Sequence, residues 1–363
     1  MCVFCGNMPD EKTKEHVIPK WLIEFTGDPN RSVFLGLDLP HFVKTGEAKQ
    51  RKFSFSAFHF PACSSCNSQF SKLESDAKLL MQKIFAKEFL DNGEITTLLD
   101  WFDKVRMGLW LAFITLDDLT KEFTPRLYIT NRQKQKDRAL FIYDLKDTTR
   151  KELGISGVNS PVFNQIPGCF ALIINSKLFL NISADFLTAK SLGFAYGQLS
   201  GIEGQGLHQM FNTHIGTGKP VYPVVGFPYA NGAMEIYQVV VSKQLTFDLE
   251  AGAGKTLFDN AYLSANYLPA YSNEHVKVSK IFYKEKGSNK ISLLEEDEEV
   301  DLTPTIPKSA AAAEQIILEM IAKIQVWLFR RRFPADMLPE SRKEELLEAQ
   351  VYTFRAQKSF VGS

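Results

Sequence analysis

Cys2 and Cys5, and Cys63 and Cys66, form two C-x-x-C pairs in the first fifth of a 363-residue chain. In a reducing compartment such pairs are read first as thiolate ligands of one tetrahedral zinc, not as disulfides. A shared ion draws Met1–Cys66 into a single closed unit. The stretch between the knuckles, Gly6 to Ala62, is far longer than the roughly 15–20 residues of a simple four-cysteine ribbon, so it has to carry structure of its own. A redox C-x-x-C normally follows a strand in a βαβ unit, and Cys2 stands at the second position, which disfavours thioredoxin-like chemistry. The fifth cysteine, Cys169, lies in the apolar run Gly168 to Ile174 and reads as a buried small hydrophobe.

The remainder of the chain is too long for one growing core, since cores stop enlarging beyond roughly 250–300 residues, and two or three packed units are expected. Lys and Arg number 42 against 42 Asp and Glu. This balance predicts no global counterion-releasing surface, so any nucleic-acid footprint must be local. With 45% apolar and 12% aromatic residues the chain is not of the disordered class. Its longest apolar stretches, such as Met107 to Leu116, fall short of the ~20 residues of a membrane helix. Residues 1–20 have no hydrophobic signal core, so no membrane partner, a start near Met1 and a cytoplasmic location are expected.

The pattern predicts an α+β chain. Residues 1–80 form the zinc-braced N-terminal module, and 81–125 a helical connector. Apolar spacing through Phe70, Leu73, Leu80, Ile84 and Phe85 gives a helix from Asn67 that Asn92-Gly93 stops. A second, more apolar helix runs from about Thr96 to Leu116 and is expected to be covered on several sides. Residues 126–294 change to short β-rich runs: Leu127 to Thr130, Ala139 to Asp144, Phe170 to Asn175, Lys177 to Ile182, Ala233 to Val241 and Val276 to Tyr283. This is a mixed α+β domain of unknown role. Residues 295–308 are acidic and proline-punctuated and read as a solvated linker. Residues 309–363 hold C-terminal helices, the first capped by Ser309, with a stripe of Ile317, Met320, Ile321, Ile324, Trp327 and Leu328 that packs on the chain's own sheet.

Between the knuckles lies Glu15-His16-Val17-Ile18-Pro19, and the second knuckle continues into Asn67. A carboxylate beside an imidazole, with an amide brought near by a zinc clip, supplies an oxygen ligand, a base for water and a further ligand. C-x-x-C at Cys2, E-H-x-x-P at Glu15 and C-x-x-C-N at Cys63 together resemble the HNH endonuclease module, the ββα-metal nucleases, in the subgroup braced by two knuckles. The resemblance covers about the first 80 residues. It implies that His16 is the general base, that Glu15 and Asn67 ligate a divalent cation, magnesium by default or manganese, and that zinc is structural. It further implies hydrolysis of phosphodiester bonds in nucleic acid, foremost double-stranded DNA, leaving 5′ phosphate and 3′ hydroxyl ends. Restriction or phage defence is the expected setting, and a homo-oligomer a candidate assembly.

The chain departs from that pattern at Phe58, where the family has a central Asn; His59 beside it is a candidate for the orienting task. Glu74 shares a helix face with Asn67 and Ser71 and is a candidate further ligand. Lys44, Lys49, Arg51 and Lys52 form a local basic cluster suited to backbone phosphates. Asn67 is also a preferred helix-cap residue. The alternative function is a zinc-braced nucleic-acid-binding or regulatory protein without catalysis. Ala251 to Thr256 resembles the tail of a phosphate-binding loop, but the pattern demands glycine where Leu249 stands, so nucleotide binding is not expected there. His208 and His214 sit in a Gly-rich stretch that reads as a surface loop.

Overall fold

Strand β1 (Lys12–His16) leads through Pro19 into the short helix α1 (Lys20–Phe25). A hairpin of β2 (Ser32–Leu37) and β3 (Gln50–Ser54) follows, then β4 (His59–Cys63), which returns to pair antiparallel with β1. β4 passes directly into the helix α2 (Ser64–Ala86). In this computed structural model the described residues are 2, 4, 8, 11–38, 41, 44–47, 49–54, 59–116, 137–145, 149, 151–158, 160–184, 196–202, 206–212, 234–242, 277–284, 291–303 and 320–330. The expected strand at Leu127 to Thr130, the loop at Leu249 to Thr256, Ser309, Ile317 and His214 lie outside them, as do Cys5 and Phe58.

α2 begins three residues earlier than its apolar spacing predicts and ends earlier too. Lys87 adopts a left-handed conformation (φ 63°) and its backbone N–H turns back to the carbonyls of Ile84 and Lys83, closing the helix at Ala86. Asn92-Gly93, read as a stop, instead opens the next helix, α3 (Asn92–Leu116). The Glu94 backbone N–H donates to Asp91 Oδ1 (2.7 Å) while the Asp91 N–H donates to Glu94 Oε2 (3.1 Å). This reciprocal pair satisfies two otherwise orphaned donors, and D-N-G-E is its signature.

α3 is the shaft of the molecule. Every residue from Leu98 to Phe113 is buried, as expected of a helix covered on several sides. One side meets α1 and the turn leading into it: Trp101 lies 5.8 Å from Trp21, and an added Cβ at Gly108 would come within 3.0 Å of Val17 Cγ1, so glycine here permits the close approach. Another side meets a seven-stranded antiparallel sheet in the order β13-β12-β11-β5-β8-β7-β6. Its strands are β5 (Asp137–Asp144), β6 (Leu153–Ser156), β7 (Cys169–Ile174), β8 (Lys177–Ala184), β11 (Met234–Ser242), β12 (Lys277–Lys284) and β13 (Ile291–Leu294). Phe102 of α3 packs against Phe170 and Phe179 of this sheet. One cluster of buried apolar side chains therefore runs from Cys2 and Phe4 through α2 and α3 to Leu294 and Leu302, joining the cysteine-bearing N-terminal region to the sheet. No described helix is long and apolar enough to cross a membrane.

Three further features differ from the sequence reading. Val300 and Leu302 of the expected linker are buried, Val300 bridges to Leu90, and Tyr283 donates to the half-buried Glu298 (2.8 Å), while Glu295, Glu296, Asp297 and Glu299 are exposed. His208 lies not in a loop but in β10 (Gly206–Asn212), opposite Ser200 of β9 (Tyr196–Ile202). The C-terminal helix is described over residues 320–330 (α5), where Met320, Ile321, Ile324 and Leu328 are buried as the stripe predicts and Trp327 is half-buried.

α5 docks beside the small helix α4 (Pro161–Gln165), whose N-cap Ser160 accepts from the Phe163 N–H and donates to Gln325 Oε1. Gln325 Nε2 in turn donates to the carbonyls of Cys169 (2.9 Å) and Gly157. Gly157 has φ +78°, and an added Cβ would lie 2.5 Å from Ile321 Cγ2. Gly157→Ala is thus expected to cost about 2–4 kcal/mol by combining left-handed strain with overpacking, read as a lowered urea midpoint. An unchanged midpoint would remove α5 from the native packing of β7.

Candidate functional site

The register of the β1–β4 hairpin sets the site. Lys12 pairs with Cys63 at one end and His16 with His59 at the other, so the second knuckle and the imidazoles are separated by four residues of strand, roughly 13 Å. Successive side chains alternate faces. Glu15 (5% exposed) therefore turns into the core, and His16 turns to the half-exposed face beside its cross-strand partner His59, with ring centroids 6.2 Å apart.

At the knuckle end, Cys2, Cys63 and Cys66 place their Sγ atoms within 4.8 Å of one another. Phe4 stacks on Phe70 of α2 at 4.3 Å and holds the N-terminal segment there. Cys63 is the N-cap of α2, so the knuckle straddles the strand-to-helix turn. The Ser65 hydroxyl (3.3 Å) and then the Cys66 backbone N–H hold the Cys63 thiol down to about 6, in favour of thiolate. Four thiolates at a zinc–sulfur distance of ~2.3 Å would stand roughly 3.8 Å apart, so this soft, converging set of sulfur donors fits zinc. Cys2, Cys63 and Cys66 would hold it; Cys5 lies outside the described residues.

At the imidazole end a buried charge cluster appears that the sequence reading did not anticipate. Lys104 of α3, 1% exposed at its side chain, stands 2.5 Å from Glu15 Oε1 and donates to Glu74 of α2 and to the His16 carbonyl oxygen (3.1 Å). The Glu15 contact is an ion pair by distance, and its angle falls outside that of an aligned hydrogen bond. Burial pushes the Glu74 carboxyl above the usual range, with Lys104 opposing. Burial first, then the His59 imidazole, holds His16 below its ordinary value; Lys104 and Lys20 act in the same direction and Glu15 against it. His16 is therefore biased toward the neutral form, which accepts a proton.

The helix residue brought to Glu15 is Glu74, through Lys104. Asn67 is the fourth residue of α2, past its cap, half-buried, and seven residues or about 10 Å of helix rise back from Glu74 toward the thiolates. Glu15 as described holds an ammonium instead of presenting an open coordination position, so the carboxylate assigned to the divalent cation does not fit that task in this arrangement. Of the basic cluster, Lys44, Lys49 and Lys52 are exposed on and around the β2–β3 hairpin; Arg51 lies in β3. Lys104 could have been found in the sequence: Asp100, Asp103, Lys104 and Arg106 are four charges inside an otherwise apolar helix, and buried charges require partners. No family model, no curated protein and no solved structure matches this chain.

Proposed function

We propose that the chain is an HNH-type endonuclease that hydrolyses phosphodiester bonds in DNA, with restriction or phage defence as its setting. The observation that carries this reading is the His16–His59 pair on the half-exposed face of a hairpin whose far end is gathered by three cysteines and whose second strand runs into a helix. His16, biased toward neutral imidazole, takes the proton of the attacking water, and His59, directly across the strand pair, orients that water or the phosphate. Lys44, Lys49 and Lys52 lie on the adjoining hairpin and supply phosphate contacts that carry no sequence preference. Zinc braces the far end of the hairpin and takes no part in the proton transfer. A divalent cation, when bound, supplies charge neutralisation at the phosphate. Glu15 is not assigned as its ligand.

His16→Ala is expected to lower cleavage of plasmid DNA about 10²–10⁴-fold in magnesium or manganese, with zinc content unchanged. Equal cleavage by the variant would remove the base from His16. One observation favours a second reading, a zinc-braced nucleic-acid-binding protein without catalysis: Lys104 fills the carboxylate site that the resemblance gives to a cation. Retarded DNA mobility without cutting, in either metal, is the result that would select it.

A further inference from the structure

Three oxygens surround Lys104 Nζ, from two elements: Glu15 Oε1 and the His16 carbonyl of β1, and a carboxylate oxygen of Glu74 on α2. The Phe70 ring closes another side, 5.9 Å from the ammonium to its centroid. Two carboxylates and a main-chain carbonyl converging on one point are the donor type that a hard divalent cation takes. Both occupants cannot be there together, because an ammonium and a divalent ion a few ångströms apart in a buried site repel strongly. The lysine reaches the paired strands from α3, 88 residues along the chain from His16, and its side chain is 1% exposed. Desolvating such a charge is costly unless it is paired, and here it is paired twice and bonded once more to backbone.

We propose that Lys104 is the resident cation of the Glu15–Glu74 pair: its ammonium takes the place that a divalent ion would have at Glu15, and its bond to the His16 carbonyl fixes the end of β1 that carries the imidazole. Lys104 is thus a positioning residue. The second half of the inference rests on His16 as the base; the first half stands without it. The metal chemistry of this hairpin is confined to the thiolate end, and a divalent cation used in hydrolysis has to arrive on the face of His16 and His59, away from Glu15.

The test follows the loss of free Mn2+ signal by electron paramagnetic resonance on the zinc-loaded full-length chain. Wild type and Glu15→Gln are expected to take up equal Mn2+. Lys104→Met, which is one atom shorter, vacates the ammonium position and removes the charge, is expected to gain one Mn2+ per chain, and the double variant Lys104→Met/Glu15→Gln to lose it again. Lower uptake by Glu15→Gln with Lys104 present overturns the proposal, as does a folded Lys104→Met that takes up no more than wild type. Should Lys104→Met fail to fold, the comparison of wild type with Glu15→Gln decides alone. For positioning, Glu74→Gln, which leaves Lys104 free to shift, is expected to lower kcat for plasmid cleavage about tenfold at unchanged KM and to move the ring nitrogen resonances of His16. A shared loss in kcat and KM with unmoved resonances contradicts it. A chain that cuts no DNA in any metal ends the nuclease reading, while the Mn2+ comparison still tests Lys104.

Discussion

Replacing Cys66 with Ser, or stripping the zinc-loaded chain with a chelator, is expected to release the N-terminal hairpin and the first turns of α2 while leaving the seven-stranded sheet folded. The physical basis is that backbone pairing adds little here to the apolar packing on α2 and α3 and to the Lys104 bonds. β1 and β4 form a sheet of two strands, and an isolated pair of strands is marginal in water. The thiolate cluster gathers three separate pieces, the segment at Cys2, the end of β4 and the start of α2, into one point. Structural zinc in small domains contributes about 10–16 kcal/mol of apparent binding energy, which is folding energy when the apo site does not persist. Without the ion, thiolates within 4.8 Å of one another repel, and the thiol of Cys63 at about 6 favours the charged form that makes this worse. Native-state hydrogen exchange is the measurement. Protection at residues 12–16 and 59–70 should fall by at least about 10³-fold in Cys66→Ser, while β5, β7 and β8 keep theirs. Elemental analysis should give one zinc per chain in the parent protein. Full protection of the hairpin in a zinc-free chain would sink the zinc brace.

Periodicity and composition made much of this architecture legible. The largely apolar texture of residues 96–116 foretold a helix covered on several sides, and the charges at Asp100, Asp103, Lys104 and Arg106 inside it called for buried partners. The β-rich runs at Ala139 to Asp144, Phe170 to Asn175, Lys177 to Ile182, Ala233 to Val241 and Val276 to Tyr283 correspond to β5, β7, β8, β11 and β12 within two residues at each end. Cys169 is buried, as its apolar run implies. What was not legible is long-range pairing. Nothing local to Glu15 marks it as the partner of a lysine on α3, and its position beside an imidazole invites a ligand role. The end of α2 escaped notice because a non-glycine residue, Lys87, supplies the left-handed turn, whereas Asn92-Gly93 carries stronger breaker chemistry and is used to begin a helix. The run at Glu295 to Glu299 reads as solvated because all but Glu298 of its side chains are exposed; burial resumes at Val300 and Leu302, and Val300 bridges to Leu90.

The same helix α3 carries a second charge cluster on the side that meets the sheet, and Asp103→Ala is expected to cost about 3–5 kcal/mol there. Asp103 is 4% exposed and touches both arginines of the cluster, Arg106 Nη2 at 2.5 Å through Oδ1 and Arg138 Nη1 at 3.0 Å through Oδ2. Arg138 of β5 also donates to Asp100 (2.7 Å) and to Gln238 of β11 (2.5 Å), and Arg106 donates to Asn181 of β8. Two aspartates and two arginines make the cluster neutral, and three neighbouring strands are tied through it to one helix. Removing Asp103 leaves two guanidinium groups with one carboxylate in a buried site, so the cost is that of an uncompensated buried charge and not that of a surface contact. Lys83→Ala offers the internal contrast. Its ion pair with Glu94 is also short, 2.6 Å, but both side chains are about a third exposed, and such a pair is worth about 0.2–1 kcal/mol. Urea unfolding followed by circular dichroism should therefore separate the two variants by several-fold in destabilisation despite their similar bond lengths. If Asp103→Ala loses no more than Lys83→Ala, the joint between α3 and the sheet is held by apolar packing through Phe102, Phe170 and Phe179 alone, and the coupling of the hairpin to the sheet through charges on a common helix falls with it.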